Sequence, residues 1–139
     1  MPRFNTVREA LDSERLVTLA HRGAASYAPE HTLPSFELAI QQGVDFIELD
    51  VKFSADGELV IIHDATVDRT SSGTGAVREL TFEQLRALDF GGGFGDRYRG
   101  AQIPTLQEVL RLAKDRCLVD IELKIDRPSR PADDQRLVD

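Results

Sequence analysis

Four short apolar runs, separated by segments of different character, constrain the fold of this chain more than any other feature. The runs cover residues 16–20, 46–51, 59–62 and 118–123. Three of them are separated by helical patterns, and strands joined by helical crossovers form a parallel sheet. The link between the second and third runs is too short for a crossover and contains Asp56-Gly57, which favours a hairpin turn. The pattern predicts an α/β fold with a parallel sheet and one β-hairpin.

Helix starts are marked by the pattern Thr-x-x-Glu/Gln, in which both side chains accept hydrogen bonds from free backbone N–H groups. It occurs at Thr6, Thr81 and Thr105 and predicts helices that end near Arg15, Leu88 and Lys114. A fourth predicted helix, residues 33–42, follows Thr32 as N-cap and precedes Gly43 as a stop. Residues 125–139 contain two prolines and seven charged residues, which predict a loop followed by a truncated helix.

Charge and composition exclude several classes of protein. The 17 Lys and Arg against 24 Asp and Glu give a net charge of −7, which argues against a nucleic-acid partner. No run approaches the ~18 apolar residues of a membrane span, and the N-terminus lacks a signal-peptide pattern. We therefore expect no membrane span and a cytoplasmic location. The single cysteine, Cys117, lies in an apolar run and is expected to be an inert thiol.

Charged or catalytically capable side chains lie at the end of every predicted strand. They are His21 and Arg22, Glu48 and Asp50, His63 and Asp64, and Glu122 and Lys124. In a parallel α/β sheet, ligands bind at the carboxyl ends of the strands, because several loops converge there on a rigid scaffold. The sequence therefore predicts one functional site at this edge of the sheet.

The acidic residues in this set have the spacing of a metal site. Glu48 and Asp50 are two residues apart on one strand, so their carboxylates project from the same face. Together with Glu122 they offer three oxygen ligands and no sulfur, which suits Mg²⁺ or Ca²⁺ rather than Zn²⁺. A two-residue turn at Asp56-Gly57 would pair residues whose numbers add to 113, which places His63 opposite Asp50.

Each of these features also has an ordinary structural interpretation. Glu48 and Asp50 could lie on the solvated face of an antiparallel sheet, although their apolar neighbours favour a covered strand. His21 could be a hydrogen-bonded core histidine, and His63-Asp64 could simply end a strand. The coincidence of polar residues at all four strand ends favours the functional interpretation.

Several motifs occur in the order typical of one enzyme family. They are His21-Arg22-Gly23, Pro29-Glu30-His31-Thr32, Glu48-Leu49-Asp50-Val51, Asp56-Gly57 with His63-Asp64, Arg69-Thr70 through Gly73-Thr74-Gly75, Ile103-Pro104-Thr105-Leu106 and Glu122-Leu123-Lys124. With this set the chain resembles the glycerophosphodiester phosphodiesterases of the phospholipase-C-like TIM-barrel group, from Leu19 to about Lys124.

The resemblance implies metal-dependent hydrolysis of small glycerophosphodiesters to glycerol 3-phosphate and an alcohol. It implies that His21 and His63 are the general acid and base. The implied metal ligands for Mg²⁺ or Ca²⁺ are Glu48, Asp50 and Glu122, and the implied phosphate-binding cations are Arg22 and Lys124. The chain departs from the family pattern at His31, where the family usually has asparagine.

Length is the second departure, because TIM barrels take ~250 residues and this chain has 139. The expected fold is therefore an incomplete TIM (β/α) barrel, its N-terminal half only, in a single domain fragment. Residues 65–103 are predicted to form a small insertion above the barrel mouth. An open barrel edge favours self-association, and we expect the isolated chain not to be a competent monomeric enzyme. The alternatives are a truncated, non-catalytic half-barrel that keeps the metal site, and a related phospholipase-D-like or phosphoinositide-cleaving enzyme.

Overall fold

A computed structural model describes residues 2–124 of the chain. The predicted loop and truncated helix at residues 125–139 lie outside this range. The helices are α1 (Val7–Leu11), α2 (Leu33–Gln41), α3 (Phe82–Arg86) and α4 (Leu106–Ala113). The strands are β1 (Leu19–His21), β2 (Phe46–Phe53), β3 (Leu59–Ile61) and β4 (Leu118–Leu123). Two short 3₁₀ turns, Val77–Glu79 and Asp96–Tyr98, flank α3 in the sequence.

The sheet is built around β2, with which every other described strand pairs. Both β1 and β4 run parallel to β2, and β3 returns antiparallel to it. Since Val51 pairs with both β3 and β4, these two strands occupy opposite edges of β2. The predicted parallel sheet with one hairpin is confirmed. The four described strands leave the sheet open, whereas a closed barrel of this type takes eight.

The two faces of β2 have different roles. Ile47, Leu49 and Val51 are fully buried against α2 and α4, where Phe36 and Val109 complete the apolar core. Because side chains alternate along a strand, Glu48 and Asp50 project from the other face. The apolar core therefore holds one face of β2 against the helices, while the carboxylates lie on the opposite face of the sheet.

The Thr-based caps position the helices as the sequence predicts. Thr6, Thr32, Thr81 and Thr105 are all N-caps, and Thr81 and Thr105 belong to complete capping boxes. The helix ends were predicted less well, since α1 ends at Leu11 and not near Arg15. A cap is a local interaction that a motif can encode, whereas the end of a short helix depends on the packing around it.

The predicted register of the hairpin is wrong by one residue. The structure pairs Val51 with Ile61 and Phe53 with Leu59, so paired numbers add to 112. The loop has one more residue than predicted, because Ser54 bonds to Glu58 across a turn in which Gly57 has a left-handed φ of +87°. The partner of Asp50 is consequently Ile62, whose N–H donates to the Asp50 carbonyl at 3.0 Å, and not His63.

The first strand also lies later than predicted. Residues 16–20 were expected to form it, but β1 covers Leu19–His21, and Leu16 is 89 % exposed. The reason is a side-chain contact, because the backbone N–H and the hydroxyl of Thr18 both donate to the Asp45 carboxylate. Pairing with β2 then begins at Leu19, the residue after Thr18 and three residues later than predicted.

Residues between β3 and α4 form a second apolar cluster. Val67, Val77, Leu85 and Phe90 pack with Val60 and Ile62 at the hairpin. This small core fits the predicted insertion at residues 65–103, whose placement above a barrel mouth stays a prediction.

Two observations bear on Cys117 and on membranes. Cys117 is partly buried, and burial raises the pKa of its thiol, which disfavours the reactive thiolate. Among the helices of residues 2–124, none combines the length and the apolar character needed to cross a membrane.

Candidate functional site

Three carboxylates from two strands converge on the face of the sheet opposite α2 and α4. Glu48 and Asp50 lie on β2 and Glu122 on β4, where Asp50 and Glu122 are paired in register. One ligand oxygen from each lies within 4.8 Å of the other two. Glu48 and Asp50 are buried and Glu122 is exposed. The predicted convergence of the three carboxylates is present, and the donor set of three hard oxygens fits a divalent cation.

Asp50 is the most buried member of this acidic cluster. Its Oδ2 lies 2.8 Å from Nε2 of the buried His31, and its Oδ1 lies 3.3 Å from the Lys124 ammonium. Burial by itself raises the pKa of Asp50, but the hydrogen bond and charge of His31 and the charge of Lys124 outweigh it and lower this pKa to about 2. Oδ1 makes no well-aligned hydrogen bond within residues 2–124, where its contact is the ion pair with Lys124.

Lys124 lies beside the same cluster. Its Nζ is 2.6 Å from Oε1 of Glu122, in addition to the contact with Asp50. The ammonium therefore neutralises part of the charge of two carboxylates that would otherwise repel each other. A phosphate bound near this point would meet the same positive charge.

A tight turn after β1 holds Glu48 in place. The backbone N–H of Arg22 donates to Oε2 of Glu48 at 2.9 Å, and Nε2 of His21 lies 3.9 Å from the same oxygen. Arg22 and Gly23 both have positive φ, +61° and +82°. A Cβ at Gly23 would lie 2.5 Å from Oγ of Ser35, so only glycine fits this turn. Strain at Arg22 is typical of a backbone held for function.

The guanidinium of Arg22 is directed toward acidic residues. Its Nη1 donates to Glu30 at 3.2 Å, and its Nε lies 3.9 Å from Oδ2 of Asp50. That Nε is buried and has no hydrogen bond to any residue of 2–124. Arg22 thus keeps a buried, unpaired Nε next to the carboxylate cluster, and its phosphate-binding role stays a prediction.

His63 forms a pair with the residue that follows it. Its Nδ1 lies 2.8 Å from Oδ1 of Asp64, and within residues 2–124 its Nε2 makes no hydrogen bond. Hydrogen bonds from Arg69 hold the pKa of the Asp64 carboxyl well below its usual range. β1 ends level with Glu48, and β3 ends level with Val51, so that Ile62, the next residue, lies opposite Asp50. The chain therefore brings His21 and His63 to the same side of β2. Their arrangement across one phosphoryl group stays a prediction.

Sequence reasoning missed the connections among the remaining motif residues. Arg69 bonds to Asp64 and also to Glu30, which is 39 positions away in the sequence. His31, noted only as a departure from the family pattern, turns out to touch Asp50. The motifs contained all of these residues, but nothing in their spacing says which of them pair.

We expect His31→Ala to weaken divalent-metal binding by about 10- to 100-fold, the usual cost of removing a group that orients a metal ligand. The substitution removes the donor to Oδ2 of Asp50 and leaves a buried space beside the carboxylate. His31→Asn keeps a side-chain donor and is expected to lose less. Calorimetric titration of both variants with Mg²⁺ and Ca²⁺ measures the difference; equal affinities in all three proteins would contradict this role.

The open, mixed sheet, with carboxylates and cations at the strand ends, defines an α/β protein with a candidate divalent-metal site. The chain belongs to the glycerophosphoryl diester phosphodiesterase family, whose model matches residues 21–137. This membership and the solved relatives confirm the incomplete TIM barrel expected from the sequence.

Named relatives agree with this assignment. The chain is 43 % identical to a glycerophosphodiester phosphodiesterase of Caldanaerobacter subterraneus, over 89 % of this chain and 51 % of the relative. The structure of such an enzyme from Agrobacterium tumefaciens matches with a TM-score of 0.78 and 47 % identity, over 82 % of this chain and 49 % of that one. An Oleispira antarctica phosphodiesterase, solved with its product sn-glycerol-3-phosphate, matches with a TM-score of 0.76 and 39 % identity, over 78 % and 44 %. The chain thus spans about half the length of these relatives.

Proposed function

We propose that this chain supplies the metal site and the acid–base residues of an enzyme that hydrolyses glycerophosphodiesters to glycerol 3-phosphate and an alcohol. The observation that carries the proposal is the convergence of Glu48, Asp50 and Glu122 beside the cations Arg22 and Lys124. The relatives named as glycerophosphodiester phosphodiesterases, and the product complex of one of the solved structures, support the choice of substrate.

The charge arrangement suits a phosphodiester. Such a substrate is an anion that repels nucleophiles, so catalysis requires positive charge on its phosphoryl oxygens. The three carboxylates would hold Mg²⁺ or Ca²⁺, which supplies part of this charge when it is bound. Arg22 and Lys124 supply the rest as hydrogen-bond donors, and both already lie within 4 Å of Asp50.

Proton transfer is assigned to the two histidines. One must remove a proton from the attacking oxygen while the other donates one to the leaving alkoxide, and imidazole titrates near neutral pH. His63 presents a free Nε2 because its Nδ1 is bonded to Asp64. His21 is largely exposed and lies 3.9 Å from a carboxylate oxygen of Glu48, so it can approach a substrate held at the cluster.

A complete barrel provides the test of this function. Residues 2–124 can be joined to the second half of the Caldanaerobacter relative, which this chain matches over 51 % of its length. We expect this barrel to release glycerol 3-phosphate from glycerophosphocholine and related diesters in the presence of Mg²⁺ or Ca²⁺, measured with a coupled glycerol 3-phosphate dehydrogenase assay. Cleavage of phosphoinositides or of phosphatidylcholine in preference to these diesters would favour the related-enzyme alternative.

The 139-residue chain by itself is the informative comparison. Leu19 on β1 and Leu123 on β4, two of the outer strands of the described sheet, are 47 % and 50 % exposed. Exposed apolar strands drive association, so we propose that the isolated chain self-associates and has much less activity than the complete barrel. Light scattering after size exclusion, together with the same assay, measures both properties. A dispersed monomer with the turnover of the complete barrel would show that this half suffices. Metal binding without turnover in the barrel would favour the non-catalytic alternative.

The cytoplasmic location stays a prediction from sequence.

A further inference from the structure

The geometry points to Arg69 as a positioning residue that holds Asp64 on Nδ1 of His63 and so keeps Nε2 of His63 free for proton transfer. The inference rests on the proposed role of His63 as a general acid or base. Arg69 takes no part in the metal binding, phosphate binding or proton transfer proposed for the other residues. Arg69 touches none of the three carboxylates of the cluster in the contacts described for residues 2–124, and it acts through its neighbours.

Arg69 binds two carboxylates at once. Its Nε and Nη2 donate to the two oxygens of Asp64 at 2.8 and 3.0 Å. Its Nη1 and Nη2 donate to the two oxygens of Glu30 at 3.0 and 2.8 Å. A planar guanidinium can make two such forked contacts in one geometry, whereas a lysine ammonium cannot.

Arg69 and the two carboxylates of Asp64 and Glu30 form a clamp, and its Asp64 end fixes the orientation of His63. Oδ1 of Asp64 accepts from both Arg69 and Nδ1 of His63. Without the guanidinium, a partly exposed carboxylate next in sequence to the histidine is free to rotate away. With both oxygens held, Asp64 stays ionised and in place, and its acceptor selects the Nδ1–H form of the neutral imidazole.

The Glu30 end prevents the clamp from moving with Asp64. Glu30 belongs to the segment before α2, and its Oε1 also accepts from Arg22 at 3.2 Å. A single guanidinium therefore ties the segment that carries His63 to the segment that carries Arg22. Arg69 itself is half exposed, and ion pairs of this kind add little to global stability. Arg69 therefore contributes mainly by holding Asp64 and Glu30 in position.

Nitrogen-15 NMR of the three histidines tests the inference on the 139-residue chain without any assay of activity. Spectra are recorded at about pH 9, well above the ~6.5 of an unperturbed imidazole. In the wild type we expect the Nδ1–H form at His63. In Arg69→Gln we expect a shift to predominantly the Nε2–H form, which free imidazole side chains prefer, and in Arg69→Lys an intermediate population.

Two further variants separate this role from others. Asp64→Asn should change the His63 tautomer at least as much as Arg69→Gln, and the double variant should show no additional change. Arg78→Gln, at an exposed position on the Val77–Glu79 turn, should leave the tautomer unchanged. Added guanidinium chloride at millimolar concentration should partly restore the Nδ1–H form in Arg69→Gln.

The outcomes are distinct. An unchanged His63 tautomer in folded Arg69→Gln would overturn the inference. Loss of a dispersed spectrum in both Arg69 variants would also overturn it, since Arg69 would then be needed for folding. The expected tautomer shifts combined with an inactive complete barrel would support the clamp while contradicting the proposed function.

Discussion

Asp50→Asn is expected to weaken binding of Mg²⁺ or Ca²⁺ by about 100-fold or more, at the upper end of the losses seen when a metal site is disturbed. The substitution removes the charge of the most buried carboxylate and places an amide beside the Lys124 ammonium, 3.3 Å from Oδ1. The hydrogen bond from His31 to Oδ2 can persist with the amide oxygen, so the change acts mainly on the ligand oxygen.

Thermal or chemical unfolding with and without metal gives a second measurement of the same effect. At a metal concentration 100-fold above the wild-type Kd, binding stabilises the wild type by about 2.7 kcal/mol. A variant with a 100-fold higher Kd would gain only about 0.4 kcal/mol under the same conditions. The matched control is Asp12→Asn, at the exposed side chain of the C-cap residue of α1, which does not belong to the cluster. If metal stabilised the wild type and Asp50→Asn equally, Asp50 would not be a metal ligand.

The convergence of the acidic cluster could be predicted because it depends on local rules. Glu48 and Asp50 share a face through the two-residue period of a strand, and Glu122 comes level with Asp50 once β4 pairs in parallel with β2. The polar residues at the strand ends then meet at one edge of the sheet. Threonine caps fixed the helix starts in the same local way.

The hairpin register could not be predicted from Asp56-Gly57 alone. A two-residue turn and a three-residue turn with glycine in the left-handed position share that dipeptide, and they differ by one residue in every pair. One contact that supports the longer loop comes from outside the hairpin, since Oδ1 of Asp56 accepts from the backbone N–H of Phe82 at the start of α3 as well as from the neighbouring Ser54 hydroxyl. Tertiary contacts of this kind leave no pattern in the local sequence.

The Arg69 clamp was missed for a related reason. Each of its members lies in a different motif, and a guanidinium can reach any carboxylate that the fold brings near it. The sequence identified Glu30 and Arg69 as motif residues, but only the folded chain shows that they bond to each other and to Asp64.

Replacing either predicted acid–base histidine is expected to lower kcat of the complete barrel by more than ~100-fold, the usual scale for a general acid or base. His21→Ala and His63→Ala remove imidazoles that neither the carboxylate cluster nor the core needs for its packing, since His21 is 67 % exposed and His63 35 %. The loss should therefore fall on kcat, measured by release of glycerol 3-phosphate, with a much smaller change in KM.

Metal binding separates this explanation from a damaged site. Neither histidine belongs to the group of three carboxylates that could hold the metal. Both variants should therefore bind Mg²⁺ or Ca²⁺ with nearly wild-type affinity, as measured by calorimetry. If a variant kept the wild-type kcat, the histidine that it lacks would have no role in proton transfer. If His63→Ala alone retained activity, Asp64 and Arg69 would have no imidazole to position for catalysis. The acid–base assignment would then have to move to His21 and to groups from the second half of the barrel.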